Sequence, residues 1–391
     1  MIDLRKHFAS RQNDLVERLS ELVSRVTVNP PGNEKVAADY VASLLSAWGV
    51  RYQTFEAEPG RTNLVAYVGD GSPKLLVACH LDTVGAGDGW ETDPFNAVLR
   101  DGRIYGRGAC DNKGSAAAML SVVEHLSMAE PLEGQLLAAF VADEETGSNL
   151  GLNYLLGQDL IQADFGIIPD AASRMRNVFV AEKGAVFFEI TSFGKQAHGS
   201  TPQLGVNAAW NLVELLSRFK SLELPGARHP LLSPPTMNLG VLSGGVAPNV
   251  VPAVCRAKID VRFLPGSTIH GMLDLIQATM RRVESDLPGS RFELNVLTAE
   301  EPIEVNPVHP LVVAVQEETE RLLGFRPQPA GIGGGTVAKS CVEKGIPAVN
   351  FAPGDGDVAH TAKEYMDVSE LVDFAAVMTA IVRRLLGKGG S

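Results

Sequence analysis

The run KLLVACH, from Lys74 to His80, is apolar at every position from Leu75 to Cys79 and ends on an imidazole. Successive side chains of a strand point to opposite faces, so a run that is apolar at both parities must be covered on both sides. TNLVAYVG and GQLLAAFVAD read as further buried strands, while NDLVERLSELVSRV, NEKVAADYVASLLSAWGV and SAAAMLSVVEHLSM repeat apolar residues at helical three- and four-residue steps. Strands alternating with helices predict an α/β fold, a mixed and mostly parallel sheet with helices on both faces.

After Lys183 the texture changes. AVFFEITSFG alternates apolar and polar residues, the helices VNAAWNLVELLSRF and IHGMLDLIQATMRRVESDL flank strands around TMNLGVLSGG and CRAKIDVRFLP, and RFELNVL follows. Two strand-helix-strand passes predict a compact α+β domain over 183–297, two-layered and ferredoxin-like. Longer helices then return in PLVVAVQEETERLLG and SELVDFAAVMTAIVRRLL. Residues 1–182 and 298–391 are therefore expected to form one domain interrupted by the other, as suits a chain of 391 residues. The GKGGS tail reads as disordered.

A formal charge of −12, from 46 acidic against 34 basic residues, argues against nucleic acid or anionic lipid as a partner and favours a small-molecule or peptide substrate. The opening MIDLRKHFASRQNDL lacks the apolar core of a signal peptide, and no run approaches the ~20 apolar residues that span a bilayer. A cytoplasmic protein is expected. Cys79, Cys110, Cys255 and Cys341 form no C-x-x-C pair and read as reduced thiols.

His80 stands where open α/β sheets bind ligands, at the carboxyl end of a strand, with Asp82 two residues on and on the same side. An H-x-D alone is a weak signal and reads first as a polar loop after a strand. However, Asp111 lies in the Gly-rich turn YGRGACDNKG, Glu144 and Glu145 close LLAAFVADEETGS, Asp170 closes FGIIPD, and His360 follows AVNFAP in GDVAHTAKEY. Adjacent buried carboxylates repel unless a cation holds them. Two histidines and three carboxylates, one of them bridging, suit a pair of zinc ions about 3.5 Å apart, with cobalt or manganese as substitutes.

In the motifs H-x-D-T-V, G-R-G-x-x-D-x-K-G, D-E-E-x-G-S, P-D and the late A-H-T, the sequence resembles the M20 metallopeptidases over nearly its whole length. That family includes acetylornithine deacetylase, succinyl-diaminopimelate desuccinylase, carboxypeptidase G2 and the PepV-type dipeptidases. The resemblance implies His80 and Asp170 on one zinc, Glu145 and His360 on the other, and Asp111 bridging both through a turn with a cis Asp111–Asn112 peptide. Asp82 then orients His80, and Glu144 stays off the metals as general base. The inserted domain would act as lid and homodimer interface. His198 in GKQAHGSTP would donate to the oxyanion, in its own site or in the partner's, and Asn249 in GGVAPNVVPA and Arg262 in DVRFLPG would bind substrate. Read from the residues alone, His198 is equally a surface imidazole, Asn249 a turn amide and Arg262 a salt-bridged strand residue.

GIGGGTVAKS lacks the G-K-[ST] ending of a phosphate loop, and its backbone near Gly335 and Thr336 reads instead as a wall approached closely by substrate. Val337 stands where many of the family's deacylases resemble G-T-D, and the G-G-G-T-x-A form, together with PDAASRMRNVFVAEKG, looks more like the PepV-type dipeptidases and desuccinylase-like proteins. The implied function is metal-dependent hydrolysis of an amide bond next to a free carboxylate. An N-acyl-amino-acid deacylase is the first expectation, a dipeptidase or carboxypeptidase the alternative. A metal-binding relative without catalysis is the third, against which Glu144 argues. Arg262 is the first candidate for the substrate carboxylate and Lys183 the next.

Overall fold

The computed structural model describes residues 3–226 and 228–387. The tail expected to be disordered lies, beyond Gly387, outside the described residues. Helices α1 (Leu4–Ser10), α2 (Gln12–Ser24) and α3 (Lys35–Ala47) each bury one apolar stripe, in α2 Leu15, Leu19, Leu22 and Val23. The Asp3 side chain caps α1 by accepting from the Lys6 N–H, and Gly49 takes the left-handed conformation just past α3. Strands β1 (Arg51–Glu56), β2 (Thr62–Val68) and β3 (Lys74–His80) follow, then β4 (Val98–Arg100), β5 (Arg103–Tyr105), α4 (Lys113–Ser127), β6 (Gln135–Val141), α5 (Leu152–Gly157), β7 (Phe165–Ile168) and β8 (Asn177–Glu182). Next come β9 (Gly184–Phe193), α6 (Ala208–Lys220), β10 (Thr236–Gly244), β11 (Val254–Phe263), α7 (Ile269–Asp286), β12 (Arg291–Glu300) and β13 (Ile303–Glu304). The chain closes with α8 (Pro310–Leu323), β14 (Gln328–Ile332), α9 (Ala338–Glu343), β15 (Ala348–Asn350), β16 (Tyr365–Asp367) and α10 (Val368–Leu386).

These elements divide into two units. The first holds the N-terminal elements to Val180, Val305–Ala330 and the segment from Thr336 onward; the second holds Ala181–Glu304 with Gly331–Gly335. In the first, strand order is β1-β2-β6-β3-β7-β15-β8. The central strands β6, β3, β7 and β15 run parallel, with antiparallel partners on either side. Every residue of β6, and all of β3 but Lys74, is buried, as strands covered on both faces require. Helices α4 and α10 pack on β3 and β6, α3 on β1 and β2, and α9 on β7 and β15. Because the central strands are parallel and in register, His80 opposite Val141 and Asn350 opposite Ile168, their carboxyl ends open along one edge.

The second unit is α+β. Its antiparallel sheet runs β10-β11-β9-β12, the ferredoxin-like order, and alternate residues of β9 and β11 are buried. Val186, Phe188, Ile190, Ala257, Ile259 and Val261 of the sheet pack with Leu212 and Leu215 of α6 and Ile276 and Met280 of α7. The unit continues to Glu304 because β12 runs through Glu300 and β13 then pairs with Ala181 and Glu182. Among the described residues, no helix is long and apolar enough to cross a membrane.

Helices α1, α4 and α10 meet at an ordered pair of imidazoles. Arg383 Nη2 lies 3.1 Å from His125 Nε2, so that nitrogen accepts; Nδ1 then carries the ring proton and donates to His7 Nε2 at 3.0 Å. Burial, reinforced by His7, Arg383 and Arg11 and opposed by Glu124, pushes His125 down to about 4 from 6.5. The unfolded chain therefore binds more protons between these values, and stability falls as pH drops through that window. The expected outcome is that His125→Gln flattens this loss, measured as urea midpoints between about pH 4 and 7.

Candidate metal centre

β3 ends at the buried His80, whose Nδ1 lies 3.0 Å from the Asp82 carbonyl oxygen and whose Nε2 lies 2.9 Å from Asp111 Oδ1. The carbonyl holds the Nδ1 proton, which leaves Nε2 as the atom to ligate a metal. Asp82 is fully buried. Its Oδ1 accepts from the Glu144 N–H at 3.1 Å, and its Oδ2 from the Glu145 N–H at 3.0 Å and Asn29 Nδ2 at 2.9 Å. Burial by itself would raise this carboxyl; bonds from His80, Asn29 and the Glu145 amide outweigh burial and hold it low. Asp82 thus ties the end of β3 to the turn after β6.

That turn begins at Asp143, whose φ of 68° swings the chain so that Glu144–Thr146 forms a single 3₁₀ turn. Glu145 Oε1 accepts from the Val84 N–H at 3.3 Å, and Oε2 lies 3.3 Å from His360 Nε2. The same His360 nitrogen is 3.1 Å from Asp111 Oδ2. Asp111 therefore offers one oxygen to each imidazole. It sits in the turn between β5 and α4, its peptide bond to Asn112 is cis, and its N–H donates to Glu364 Oε1 at 3.0 Å beside that of Cys110 at 2.9 Å. Arg107 Nη1 grips the other Glu364 oxygen at 2.5 Å. Asp170 follows β7 and accepts from the Ala171 N–H at 2.6 Å.

The electrostatics are those of crowded negative charge. Burial and the Asp111 carboxylate push Asp170 up to about 7, and burial with Asp170 raises Glu144 well above the carboxylate range. Hydrogen bonds to Asp111 and Glu145 lift His360 to about 10. Among the described residues, ligand atoms of His80, Asp111 and Glu145 lie within 4.8 Å of one another, as do those of His80, Glu144 and Asp170. Imidazole nitrogen and carboxylate oxygen donors, with charge that a cation would relieve, fit a divalent metal. Glu144 thus falls within a ligand cluster, although the sequence resemblance keeps it off the metals.

The model of peptidase family M20/M25/M40 matches residues 76–384. The chain belongs to this family. As an M20 protein it is a metal-dependent hydrolase. Acetylornithine deacetylase of Myxococcus xanthus is 32% identical to it over 381 residues, 94% of this chain and 97% of that one. An uncharacterized metallohydrolase of Methanocaldococcus jannaschii is 29% identical, covering 95% of this chain and 100% of that one. A tripeptidase structure from Staphylococcus aureus superimposes with a TM-score of 0.79 at 26% identity, over 95% of this chain and 98% of that one.

The remaining candidates of this M20 hydrolase belong mostly to the second unit. His198 bridges Val250 in backbone pairing, and the Ser200 N–H reaches its Nδ1 at 3.1 Å. The Asn249 carbonyl accepts from the Gly199 N–H at 2.7 Å, so these two loops are neighbours. Arg262 donates through Nε at 2.8 Å and Nη2 at 3.3 Å to Asp260, and its guanidinium stands 4.9 Å from the centre of the Phe187 ring. Lys183 Nζ donates to the Pro234 carbonyl at 2.6 Å. Gly335 belongs to the second unit, whereas Thr336 opens the last segment of the first, its hydroxyl accepting from the Ala338 N–H. The structure brings His80, Asp82, Asp111, Glu144, Glu145, Asp170 and His360 together in the first unit.

Sequence reasoning missed Glu364 and Arg107, although both lie within motifs it used. Their ionic pair is buried, with Arg107 1% and Glu364 0% exposed, and supports the Asp111 turn. Glu364→Ala leaves that guanidinium uncompensated and is expected to destabilise the fold by about 3–5 kcal/mol in urea titrations.

Proposed function

We propose that this hydrolase removes the acyl group from N-acyl amino acids by cleaving the amide bond next to a free carboxylate, using two divalent cations. Zinc is the first choice and cobalt or manganese the substitutes. The observation that carries this reading is Asp111, with one oxygen turned to His80 and the other to His360. In this reading His80 and Asp170 hold one cation, Glu145 and His360 the other, and Asp111 lies between them. Bound there, the cations supply Lewis-acid polarisation of the scissile carbonyl and lower the pKa of water toward about 7.

Glu144 is the general base. Burial favours the protonated form of its carboxyl, which suits it to take the proton of the attacking water and return it to the leaving amine. Asp82 keeps His80 in one tautomer. For His198, the Ser200 N–H directed at Nδ1 leaves the ring proton on Nε2, the donor that an oxyanion requires. Arg262 and Asn249, with backbone at Gly335 and Thr336, hold the substrate carboxylate. Asp260 occupies Nε and Nη2 of Arg262 and leaves the Nη1 donors for a second anion.

A dipeptidase or carboxypeptidase sharing this site is the second reading, favoured by Val337, by the G-G-G-T-x-A form around it and by the likeness to a tripeptidase structure. Full-length similarity to acetylornithine deacetylases supports the deacylase more. In this reading the protein works in the cytoplasm on a small-molecule substrate, without nucleic-acid or membrane partners, and as a homodimer through its second unit. Exposed Leu239, Val241 and Leu242 on the edge strand β10, with Trp210 (71% exposed) and Val213 on α6, support that assembly.

Removing metal with a chelator is expected to abolish amine release from N-acetyl and N-succinyl amino acids, and added zinc or cobalt to restore it. Full turnover by metal-free protein overturns the mechanism, and a preference for a dipeptide panel selects the second reading. Glu144→Gln should retain metal while kcat falls about 10²–10⁴-fold. Glu145→Gln should instead weaken metal binding about 10–100-fold. Metal analysis of both variants separates base from ligand.

A further inference from the structure

Asn29 lies in NPPGNE, outside the motifs that carry the metal centre. Its side-chain amide reaches Asp82 Oδ2 at 2.9 Å, Thr146 Oγ1 at 3.0 Å and Asp143 Oδ1 at 3.2 Å. Asp82 is the carboxylate that receives the Glu144 and Glu145 N–H groups. Asp143 is the residue that turns the chain into Glu144, and it has its own anchors. Arg61 Nη2 donates to Oδ1 at 2.9 Å, the Thr146 hydroxyl to Oδ1 at 2.6 Å and the Leu150 N–H to Oδ2 at 3.0 Å. The Asp143 N–H donates in turn to Glu34 Oε1 at 3.2 Å, and Glu34, fully buried, pairs with Arg61 at 2.7 and 2.8 Å. The turn bearing Glu144 and Glu145 is thus gripped from two sides, by Asp82 and by the Asp143–Arg61–Glu34 group, and Asn29 joins the grips.

The chemistry explains why an amide stands here. Two carboxylates, Asp82 and Asp143, arrive from the ends of β3 and β6 and repel unless a donor lies between them. A lysine would neutralise the Asp82 charge that holds His80, whereas a neutral amide donates to both and leaves the charge in place. We infer that Asn29 is a positioning residue for the hydrolysis proposed above, acting through Asp82 and Asp143 on the placement of Glu144 and Glu145. The inference rests on that functional reading for its effect on turnover and on geometry alone for its effect on the turn.

Two readouts test it. Asn29→Ala should lower kcat about 10–100-fold with KM changed less than about twofold, and should speed hydrogen exchange of the 143–146 amides about tenfold. Asn29→Asp keeps the shape but removes the donors and adds a charge beside two carboxylates, so it should lose more activity than Asn29→Ala. Wild-type exchange in Asn29→Ala, or wild-type kcat in Asn29→Asp, overturns the inference. If the alanine variant does not fold, Asn29→Ser, which keeps one donor, decides by the same readouts. Should the wild-type protein cleave none of the substrates, the proposed function falls while the exchange measurement still decides the role of Asn29.

Discussion

Four carboxylates and two imidazoles compete for one small volume at the carboxyl edge of a buried sheet. Asp111 touches both imidazoles, Glu145 shares one of them, and burial drives Asp170 and Glu144 toward their protonated forms, helped by the Asp111 carboxylate at Asp170 and by Asp170 at Glu144. Such crowding is expensive in a folded chain without a cation, because charge leaving water must be matched or neutralised. Much of the surrounding structure serves to hold these groups against their repulsion.

The holding is done from behind. Buried hydrogen bonds fix the turns that carry these acids: the Glu144 and Glu145 amides and Asn29 donate to Asp82, and the Cys110 and Asp111 amides donate to Glu364, which Arg107 holds in turn. Arg174, in the loop after Asp170, reaches Asp355, Asp367, Glu370 and Tyr365, so the Asp170 loop is fixed to the start of the loop that carries His360. Lys113 is fully buried, donates to the Arg25 carbonyl and is pushed down to about 7 by burial against the pull of Asp82 and Glu364. These cations stabilise the scaffold, while the oxygens and nitrogens that face one another are free to take metal.

The parallel arrangement explains how one edge can collect so many acids. Parallel neighbours aligned in register end side by side, so His80 at the end of β3, Asp170 two residues past β7 and Glu144 and Glu145 in the turn after β6 reach one place, while His360 arrives on the longer loop after β15. Antiparallel strands send successive ends to opposite edges, and the second unit, built that way, keeps its candidates on loops and on one strand face instead. There Arg262 stands two residues from Asp260 on the same face of β11, a pairing that fixes the guanidinium plane before any substrate anion arrives.

The sequence by itself determined the buried central strands and the main helices, and it singled out the acids and imidazoles that the structure brings together, whereas the short strands β4, β5, β13, β14 and β16 carry too few residues to show a period. Apolar runs of both parities mark covered strands, and His80, Glu144, Glu145, Asp170 and His360 each follow such a run, so a local pattern of burial and charge is enough to select them. The α+β texture after Lys183 was legible for the same reason, since alternation with a period of two reports one buried face. Only the tertiary structure decided which oxygen of Asp111 meets which imidazole, that Arg262 is engaged by Asp260, and that Asn29, Arg107 and Glu364 support the centre. Asn29 lies 53 residues from Asp82 and Arg107 lies 257 from Glu364. Hydrogen bonds of that span leave no periodic trace in the chain, because their geometry exists only once the strands that carry the partners have packed.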